Sequence, residues 1–442
     1  MSKTVEETPQ DNKTKAGNYF ISNYPPYSFW TPDHVPEATA ALNRPPRPDT
    51  PLGIYLHIPF CRKRCHFCYF RVYTGVNSKQ VRSYVDGAIK ELELYARQPF
   101  IGGRKPTFIY FGGGTPSFLS TGQLTSITEQ MKAVLPWDEA EEITFECEPG
   151  TLNEQKLKFI KELGVTRLSL GVENYDADIL EFNGRAHRAV EIYRAYEWAQ
   201  ACDFPQINID LIAGMLNETP ENWLKCVERT LELSPDSVTV YQMEIPFNTT
   251  IYRNMRESGK LVAPIADWDT KREWVDIAFS RLEEAGYTVT SGYTAVKNPG
   301  KTRFVYRARL WTGADLLSLG VSSFGHLAGH HYQNFTQFEE YLDAIADGRF
   351  PFTRALTTTP DERMIRELIL QMKLGRVSRS YFDEKFGVDI MKRFSSQWSH
   401  LRADGLAEVD EHEVHLRRQG LLIVDSLLPD FFLPQHQGQR HA

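Results

Sequence analysis

The stretch IYLHIPFCRKRCHFC, residues 54–68, places three cysteines directly after an apolar run. The run has the β-branched and aromatic residues of a buried strand, and the cysteines follow it with spacings of three and then two residues. They are half of the six cysteines in the chain, so their clustering needs a chemical reason. In a reducing compartment, clustered thiols indicate a metal site or catalysis instead of disulfides.

The spacing of the three cysteines fits an iron–sulfur cluster better than structural zinc. Zinc takes four tetrahedral ligands, usually in two separated pairs, and here it would need His57 or His66 to complete the site. A four-iron cube has four metal corners, and electron-transfer proteins normally bind all four through cysteine. Three thiolates would leave one iron open as a coordination site for a substrate or a cofactor.

Five further apolar runs repeat the strand-then-helix pattern that begins at Ile54. They are TFIYFG, EITFECE, RLSLGVE, QINIDLIAG and SVTVYQMEIP, separated by amphipathic segments such as residues 78–97 and 153–164. Parallel strands need crossovers, which are almost always right-handed, so six units in series predict an α/β fold with a partial (β/α)6 barrel. A doubly wound open sheet is the alternative.

Residues with unusual chemistry lie at the ends of these strands, where barrels of parallel strands place their active sites. Cys61 follows the first strand, GGGTP at 112–116 follows the second, and ECEPG at 146–150 closes the third. GVEN at 171–174 closes the fourth strand, and Asp210 lies in the fifth. Glu146 and Glu148 share one face of the third strand, where we expect a cationic partner in the interior. One pocket is predicted to gather these groups.

The composition is that of an ordinary globular protein with a large core. The chain has 442 residues, of which 41% are apolar and 24% charged, and its net charge is −7. This charge excludes an overall basic field, so neither nucleic acid nor an anionic membrane is an expected partner. No segment approaches the roughly 18 apolar residues of a membrane helix, and the polar N-terminus lacks a targeting pattern, so we expect a cytoplasmic protein.

Four segments are predicted along the chain. Residues 1–50 form an aromatic, proline-punctuated N-terminal arm and linker, residues 51–262 the partial barrel, residues 263–355 a barrel extension or substrate lid, and residues 356–442 a C-terminal domain. Helices, the hairpin pattern LAEVDEHEVHLR and a last apolar helix at 419–428 predict that this domain is winged-helix-like α+β. Its acidic hairpin tip, DEHE, argues against DNA binding because it would repel phosphate.

The motif YLHIPFCRKRCHFC, together with FGGGTP, resembles the radical S-adenosylmethionine (SAM) enzymes, and among them the oxygen-independent coproporphyrinogen III oxidase-like family. The resemblance continues through TRLSLGVEN, NIDLIAGM and LTTTPDERMIRELILQMKL, so it covers nearly the whole chain. It implies that Cys61, Cys65 and Cys68 hold a [4Fe-4S] cluster and that one or two SAM molecules bind, one of them on the open iron. It further implies reductive cleavage of SAM to a 5'-deoxyadenosyl radical that abstracts a substrate hydrogen.

The resemblance also implies which residues surround the cofactor. The candidate cofactor-binding residues are Tyr55, Phe67, Gly113, Gly114, Thr115, Glu146, Glu173, Arg185 and Asp210. Tyr55 is also the candidate catalytic residue, because it matches a tyrosine that reaches substrate and cofactor. Relatives often carry Gln at the position of Glu173. A salt bridge between Arg185 and one of the acids, a glycine turn without a ligand and a core position for Tyr55 are the alternatives.

Three branches of this family remain open for the chain. The long arm resembles the coproporphyrinogen III oxidase, the lead interpretation, although that oxidase carries a further Cys where this chain has Phe70. A haem chaperone, which binds haem without catalysis, would have His326, His330 and His331 as candidate iron ligands. A methyltransferase or cyclopropane-forming enzyme would bind a second SAM or its acceptor near SFGHLAGHHYQNF. The expected partners are a small-molecule substrate and an electron donor such as flavodoxin or ferredoxin.

Overall fold

The computed structural model describes residues 12–260 and 265–438. The polar start of the predicted arm, residues 1–11, and the predicted segment boundary between residues 262 and 263 lie outside the described residues. The described part of the arm contains two short 3-10 turns and the helix α1 (Val35–Ala41). The chain then enters the first strand of a large sheet.

Six parallel strands form the centre of the fold, as the sequence predicts. They are β1 (Leu52–Ile58), β2 (Pro106–Gly113), β3 (Glu142–Cys147), β4 (Arg167–Glu173), β5 (Gln206–Ala213) and β6 (Ser237–Gln242). Each strand pairs in parallel with the next one along the chain, without the reversal of order that a doubly wound sheet requires. The described sheet does not close on itself, so the fold is a partial barrel.

Helices follow or cover these strands. They are α2 (Ser78–Ala96), α3 (Thr121–Val134), α4 (Glu154–Glu162), α5 (Ala177–Phe182), α6 (Ala189–Ala201), α7 (Pro220–Leu233), α8 (Thr250–Glu257) and α9 (Trp268–Glu284). Capping boxes set the starts of two of them, with Asn77 and Gln80 at α2 and Ser120 and Gln123 at α3. None of the described helices combines the length and the apolar character that crossing a membrane requires.

The next part of the chain extends the sheet at both edges. Its elements are β7 (Thr288–Val289), β8 (Thr294–Val296), α10 (Val305–Trp311), β9 (Asp315–Leu319), β10 (Phe324–Leu327), β11 (His330–Asn334), α11 (Phe338–Ala346) and β12 (Phe352–Thr357). The sheet order is β12-β11-β10-β9-β1-β2-β3-β4-β5-β6-β8-β7, in which β9 pairs in parallel with β1 and the other added strands are antiparallel. The three boundaries between the four segments stay predictions.

The C-terminal part is winged-helix-like, as predicted. It comprises α12 (Pro360–Met372), β13 (Arg376–Ser378), α13 (Arg379–Phe386), α14 (Ile390–Arg393), α15 (Ser395–Ala403), β14 (Ala407–Val409), β15 (Glu413–Leu416), α16 (Arg418–Leu422) and α17 (Val424–Leu427). The predicted hairpin is β14–β15, and β13 pairs with β15. The single helix expected at 419–428 is wrong: Ile423 leaves the helical conformation, with φ −111° and ψ 14°, and separates two short helices.

The arm packs against both the sheet and the C-terminal domain. Gly17 N–H donates to Ile245 O just after β6 (2.9 Å), and Thr31 exchanges two main-chain hydrogen bonds with Ala355 of β12, each 2.9 Å long. Tyr24 is fully buried in the hydrophobic core of the C-terminal domain. The arm is therefore an integral part of the fold, and it runs from the end of β6 to the edge strand β12.

Candidate active site

The three clustered cysteines lie on a loop that leaves the carboxyl end of β1. The loop is closed at its base because Tyr73 N–H donates to Pro59 O (2.7 Å) and Cys61 N–H donates to Tyr73 O (3.1 Å). Farther along the loop, His66 N–H donates to Asn183 O, just after α5 (2.9 Å). These main-chain bonds fix the loop without the help of a cysteine side chain.

The thiols of this loop have donors that suit a negatively charged sulfur. All three are free and half-buried. Thr115 Oγ1 donates to Cys61 Sγ (3.3 Å), and Arg185 Nη1 donates to Cys65 Sγ (3.4 Å). Burial raises the pKa of the Cys61 thiol to about 11 and that of Cys68 to about 12, so each needs a metal to become a thiolate. The residues present fit an iron–sulfur cluster, whose charge these donors would stabilise.

One ring nitrogen of each histidine that a zinc site would need lies beside a partner other than a cysteine. His66 Nδ1 lies 2.9 Å from Phe182 O, and His57 Nδ1 lies 3.2 Å from the hydroxyl of Tyr55. Across the described ranges, no three His, Cys, Asp or Glu side chains lie close enough together to hold one metal ion. The described side chains are therefore not arranged as a single-ion site of the zinc type.

The glycine run at the end of β2 lies against the cysteine loop. Gly113 has φ +107°, a conformation that favours glycine, and a Cβ there would lie 2.4 Å from His57 Nδ1. A Cβ on Gly114 would lie 2.8 Å from Ile58 O and 3.1 Å from Cys61 Sγ. Both positions therefore need glycine so that β2 can approach β1 and its first cysteine closely.

A methyl group at Gly114 should weaken cluster binding. In Gly114→Ala the new Cβ meets main-chain atoms that cannot rotate away, so Cys61 must shift. We expect about a 10–100-fold loss of cluster affinity, the usual effect of disturbing the surroundings of a metal ligand. The measurement is iron and acid-labile sulfide per chain after anaerobic reconstitution. Gly122→Ala is the matched control, because nothing lies within 4 Å of a Cβ there, and equal loading of both variants would contradict the prediction.

Two buried carboxylates at the ends of β3 and β5 are hydrogen-bonded within the barrel. Glu146 accepts from the Tyr110 hydroxyl (2.6 Å) and from Gly113 N–H (3.1 Å). Asp210 accepts from Ser169 Oγ (2.7 Å). Burial raises the pKa of Glu146 to about 7 and raises that of Asp210. A cationic ligand beside them would favour their ionised forms.

A third acid, Glu173, pairs with Arg185. Glu173 ends β4 with φ +65°, and its Oε1 lies 3.6 Å from Arg185 Nη2. Burial raises the pKa of Glu173 to about 7, against the attraction of the guanidinium. Arg185 also donates to Gly171 O, and its pKa is raised: burial opposes the increase, but Cys65 and Glu173 outweigh it. The salt bridge considered from the sequence is present, and it adjoins a cysteine sulfur.

Glu148 has a different environment from its neighbour Glu146. Both side chains line the same cavity, but Glu148 accepts two hydrogen bonds from Arg62 of the cysteine loop, at 2.8 and 3.0 Å. Burial opposes ionisation, yet contacts with His187 and Arg62 lower the pKa of Glu148 to about 2. This carboxylate is already neutralised, so it ties the loop to the end of β3.

One cavity of about 660 Å³ joins the predicted groups. Its wall includes Cys61, Cys65, Phe67, Cys68, Gly113, Gly114, Thr115, Glu146, Glu173, Arg185 and Asp210. Tyr55 is not part of this wall: it stacks on Tyr110, with ring centroids 5.8 Å apart, and its assignment to catalysis stays a prediction. The carboxyl ends of the strands thus meet in one place, as the parallel topology requires.

The three candidate haem-binding histidines lie outside the wall of this cavity. His326 Nδ1 lies 3.0 Å from His331 Nδ1, and His330 Nδ1 lies 3.1 Å from Thr357 Oγ1. Burial lowers the pKa of all three imidazoles. Each ring therefore already has a protein partner.

Several lining residues were not predicted individually. They come from the arm (residues 18–21), the end of β6 (residues 241–244), the start of α9 (Trp268 and Arg272) and the C-terminal domain (residues 422–429). The aromatic composition of the arm was a usable signal. The C-terminal contribution had none, because it depends on how distant parts of the chain pack.

Known proteins resemble this chain over most of its length. The profile of the Radical SAM superfamily matches residues 55–230. The haem chaperone HemW of Bacillus subtilis is 30% identical over 382 residues, which cover 85% of this chain and 98% of HemW. An oxygen-independent coproporphyrinogen III oxidase of Helicobacter pylori J99 is 27% identical, with 88% of each chain covered.

Solved structures show the same fold. The coproporphyrinogen III oxidase HemN from Escherichia coli, described as a radical SAM enzyme, superposes with a TM-score of 0.81. The match covers 95% of this chain and 99% of HemN at 22% identity. The chain therefore belongs to the radical SAM superfamily, whose cofactors are a [4Fe-4S] cluster and SAM, and within it to the family of oxygen-independent coproporphyrinogen III oxidases and HemW haem chaperones.

Proposed function

We propose that this protein is an enzyme that abstracts a hydrogen atom from a small-molecule substrate held in the cavity, with oxidative decarboxylation of a coproporphyrinogen as the lead reaction. The observation that carries the proposal is the joining of three half-buried thiols and the acids of β3, β4 and β5 in one cavity. The oxidases among the relatives and the length of the arm favour a porphyrinogen substrate.

The roles of the chain's own residues follow from their contacts. Cys61, Cys65 and Cys68 hold the cluster, and Arg185 donates to one sulfur while it neutralises Glu173. When the cluster and SAM are both bound, and a flavodoxin or ferredoxin supplies an electron, they would provide reductive cleavage of SAM. This cleavage would yield a species that abstracts hydrogen atoms strongly. Asp210 has no cationic hydrogen-bond partner in the described chain, so it is the acid best placed to attract the cationic end of SAM.

The wall of the cavity would help to limit side reactions. The glycine run and the cysteine loop pack without intervening side chains, and arm residues form another part of the wall. Exclusion of water protects a reactive species and strengthens the electrostatic contacts around it. The arm therefore acts as a wall of the site as well as a support of the fold.

Anaerobic incubation of the cluster-loaded protein with SAM and a chemical reductant tests this proposal. We expect 5'-deoxyadenosine, formed faster when coproporphyrinogen III is added, together with loss of carbon dioxide from that substrate. If SAM is cleaved at the same rate with and without coproporphyrinogen III, the proposal of hydrogen abstraction stands, but coproporphyrinogen III is not the substrate. No 5'-deoxyadenosine at all would contradict the enzymatic proposal.

Haem binding is the second candidate, because a haem chaperone is 30% identical over 98% of its own length. A stoichiometric shift of the haem absorption band on titration, without cleavage of SAM, would favour it. The buried, paired histidines at 326, 330 and 331 argue that any haem ligand lies elsewhere. Replacing His330 with Ala should then leave the titration unchanged.

A further inference from the structure

The cavity wall carries five basic side chains, and three of them have strong partners. Arg62 pairs with Glu148, Arg64 donates to two main-chain carbonyls, and Arg185 donates to Cys65 Sγ and to a carbonyl. Within the described part of the chain, the other two make no hydrogen bond. These are Lys63 and Arg272. Lys63 is exposed, so water solvates its charge.

Arg272 is different because it is partly buried. Its side chain is 30% exposed, and its guanidinium carbon lies 5.8 Å from the centroid of the Trp268 ring. The nearest acid, Asp269, is 3.6 Å away and 76% exposed. Burial lowers the pKa of Arg272. The guanidinium has thus lost much of its water without gaining a hydrogen-bonded anion, so an anionic ligand would be stabilised beside it.

Two carboxylates on the same wall form contacts with groups other than Arg272. Glu244 accepts from the main-chain N–H of Phe20. Asp425 accepts from Ile21 N–H (2.8 Å) and pairs with Lys373 (2.7 Å). Both acids hold the arm in place, and neither is paired with Arg272.

The same cavity wall also carries exposed aromatic rings. Of the nine large apolar side chains that are markedly exposed in the described residues, four line this cavity: Tyr19, Tyr69, Phe70 and Tyr241. Tyr69 stacks with Phe70 at 4.6 Å, and Tyr241 stacks with Tyr293 at 6.2 Å. Tyr241 is 41% exposed, yet its pKa is raised by burial, as expected on a concave wall. Flat aromatic faces of this kind bind ring systems.

We propose that Arg272 is a positioning residue that anchors a carboxylate of a ring-containing substrate, whose rings lie on the aromatic wall. This inference rests on the proposed function and deepens it, because it assigns the substrate's anionic end to α9 and its rings to Tyr241 and Phe70. Phe70 is 41% exposed on this wall, so its ring adds to the apolar surface that a substrate can meet.

Kinetics of Arg272→Gln test the assignment with coproporphyrinogen III as the probe. We expect KM for this substrate to rise about 10–100-fold, as for loss of a hydrogen bond to a charged group, and to rise far more than KM for SAM. Arg272→Lys should restore part of the loss. Arg253→Gln is the control, since this exposed cation on α8 is not part of the wall. An unchanged KM for substrate, or a raised KM for SAM instead, would overturn the proposal.

Equilibrium binding gives a readout that does not depend on turnover. Coproporphyrin III is fluorescent and carries four carboxylates, whereas its neutral tetra-amide has the same rings without charge. Wild-type protein should bind the acid more tightly than the amide, and Arg272→Gln should lose that preference. Equal binding of acid and amide by wild type, or no binding of either, would overturn the anchor even if SAM is still cleaved. Failure of the proposed function would appear separately, as absence of 5'-deoxyadenosine.

Discussion

Replacing Cys65 with alanine should leave the chain folded and almost free of cluster. The side chain is half-buried, and the main-chain bonds that close the loop do not involve its sulfur. The substitution removes one of the three thiols of the cysteine loop. Because changes around a ligand already lower metal affinity about 10–100-fold, loss of the ligand itself should cost more than that. Iron and acid-labile sulfide per chain, measured after anaerobic reconstitution, check the result.

The control for this variant is Cys202→Ala. Cys202 lies at the end of α6, is also half-buried, and is not part of the cavity wall. It should take up the cluster at the wild-type level, and both variants should keep the wild-type circular dichroism. A full complement of iron and sulfide in Cys65→Ala would show that Cys65 is not a ligand. The hydrogen bond from Arg185 to the Cys65 sulfur would then have no role in cluster binding.

Much of the barrel could be predicted because its signal is local. Apolar runs of strand length, separated by amphipathic helices, mark β1 to β6 without knowledge of their partners. The pairing of β9 with β1 has no such signal: DLLSL is short, lies in a glycine-rich stretch, and joins β1 from more than 250 residues away. The helix break at Ile423 likewise has no local signal, since it falls within the apolar run LLIV at 421–424.

The candidate site divides in the same way. The cysteines, Glu146, Glu173 and Asp210 were predictable because parallel topology collects strand ends in one place. Side-chain direction was not: Tyr55 alternates with buried residues on β1, yet it stacks on Tyr110 instead of lining the cavity. Partners distant in sequence, such as Arg62 for Glu148, also could not be assigned. The positions of residues in the sequence indicate which of them lie at the same edge of the sheet. Which of these residues form pairs depends on three-dimensional packing, which the sequence pattern does not show.

Lys373→Met should destabilise the fold strongly and free the arm. Lys373 follows α12 and is fully buried, and its Nζ lies 2.7 Å from Asp425 while it also donates to Ile21 O. The substitution leaves the mostly buried carboxylate of Asp425 without its cationic partner. We expect the free energy of unfolding to fall by about 3 kcal/mol, the lower end for a broken buried pair, because Asp425 keeps 19% exposure. Denaturant unfolding measures this change.

The matched control is Lys158→Met, whose partner Glu154 is 54% exposed on the surface of α4. That pair should contribute at most about 0.5 kcal/mol. Limited proteolysis separates a local effect from a global one: since Phe20 and Ile21 line the cavity, cleavage within residues 12–34 should accelerate in Lys373→Met before the barrel unfolds. If both lysine variants unfold alike and the arm stays protected, the arm is held by its aromatic contacts, and the ion pair adds no stability to the arm.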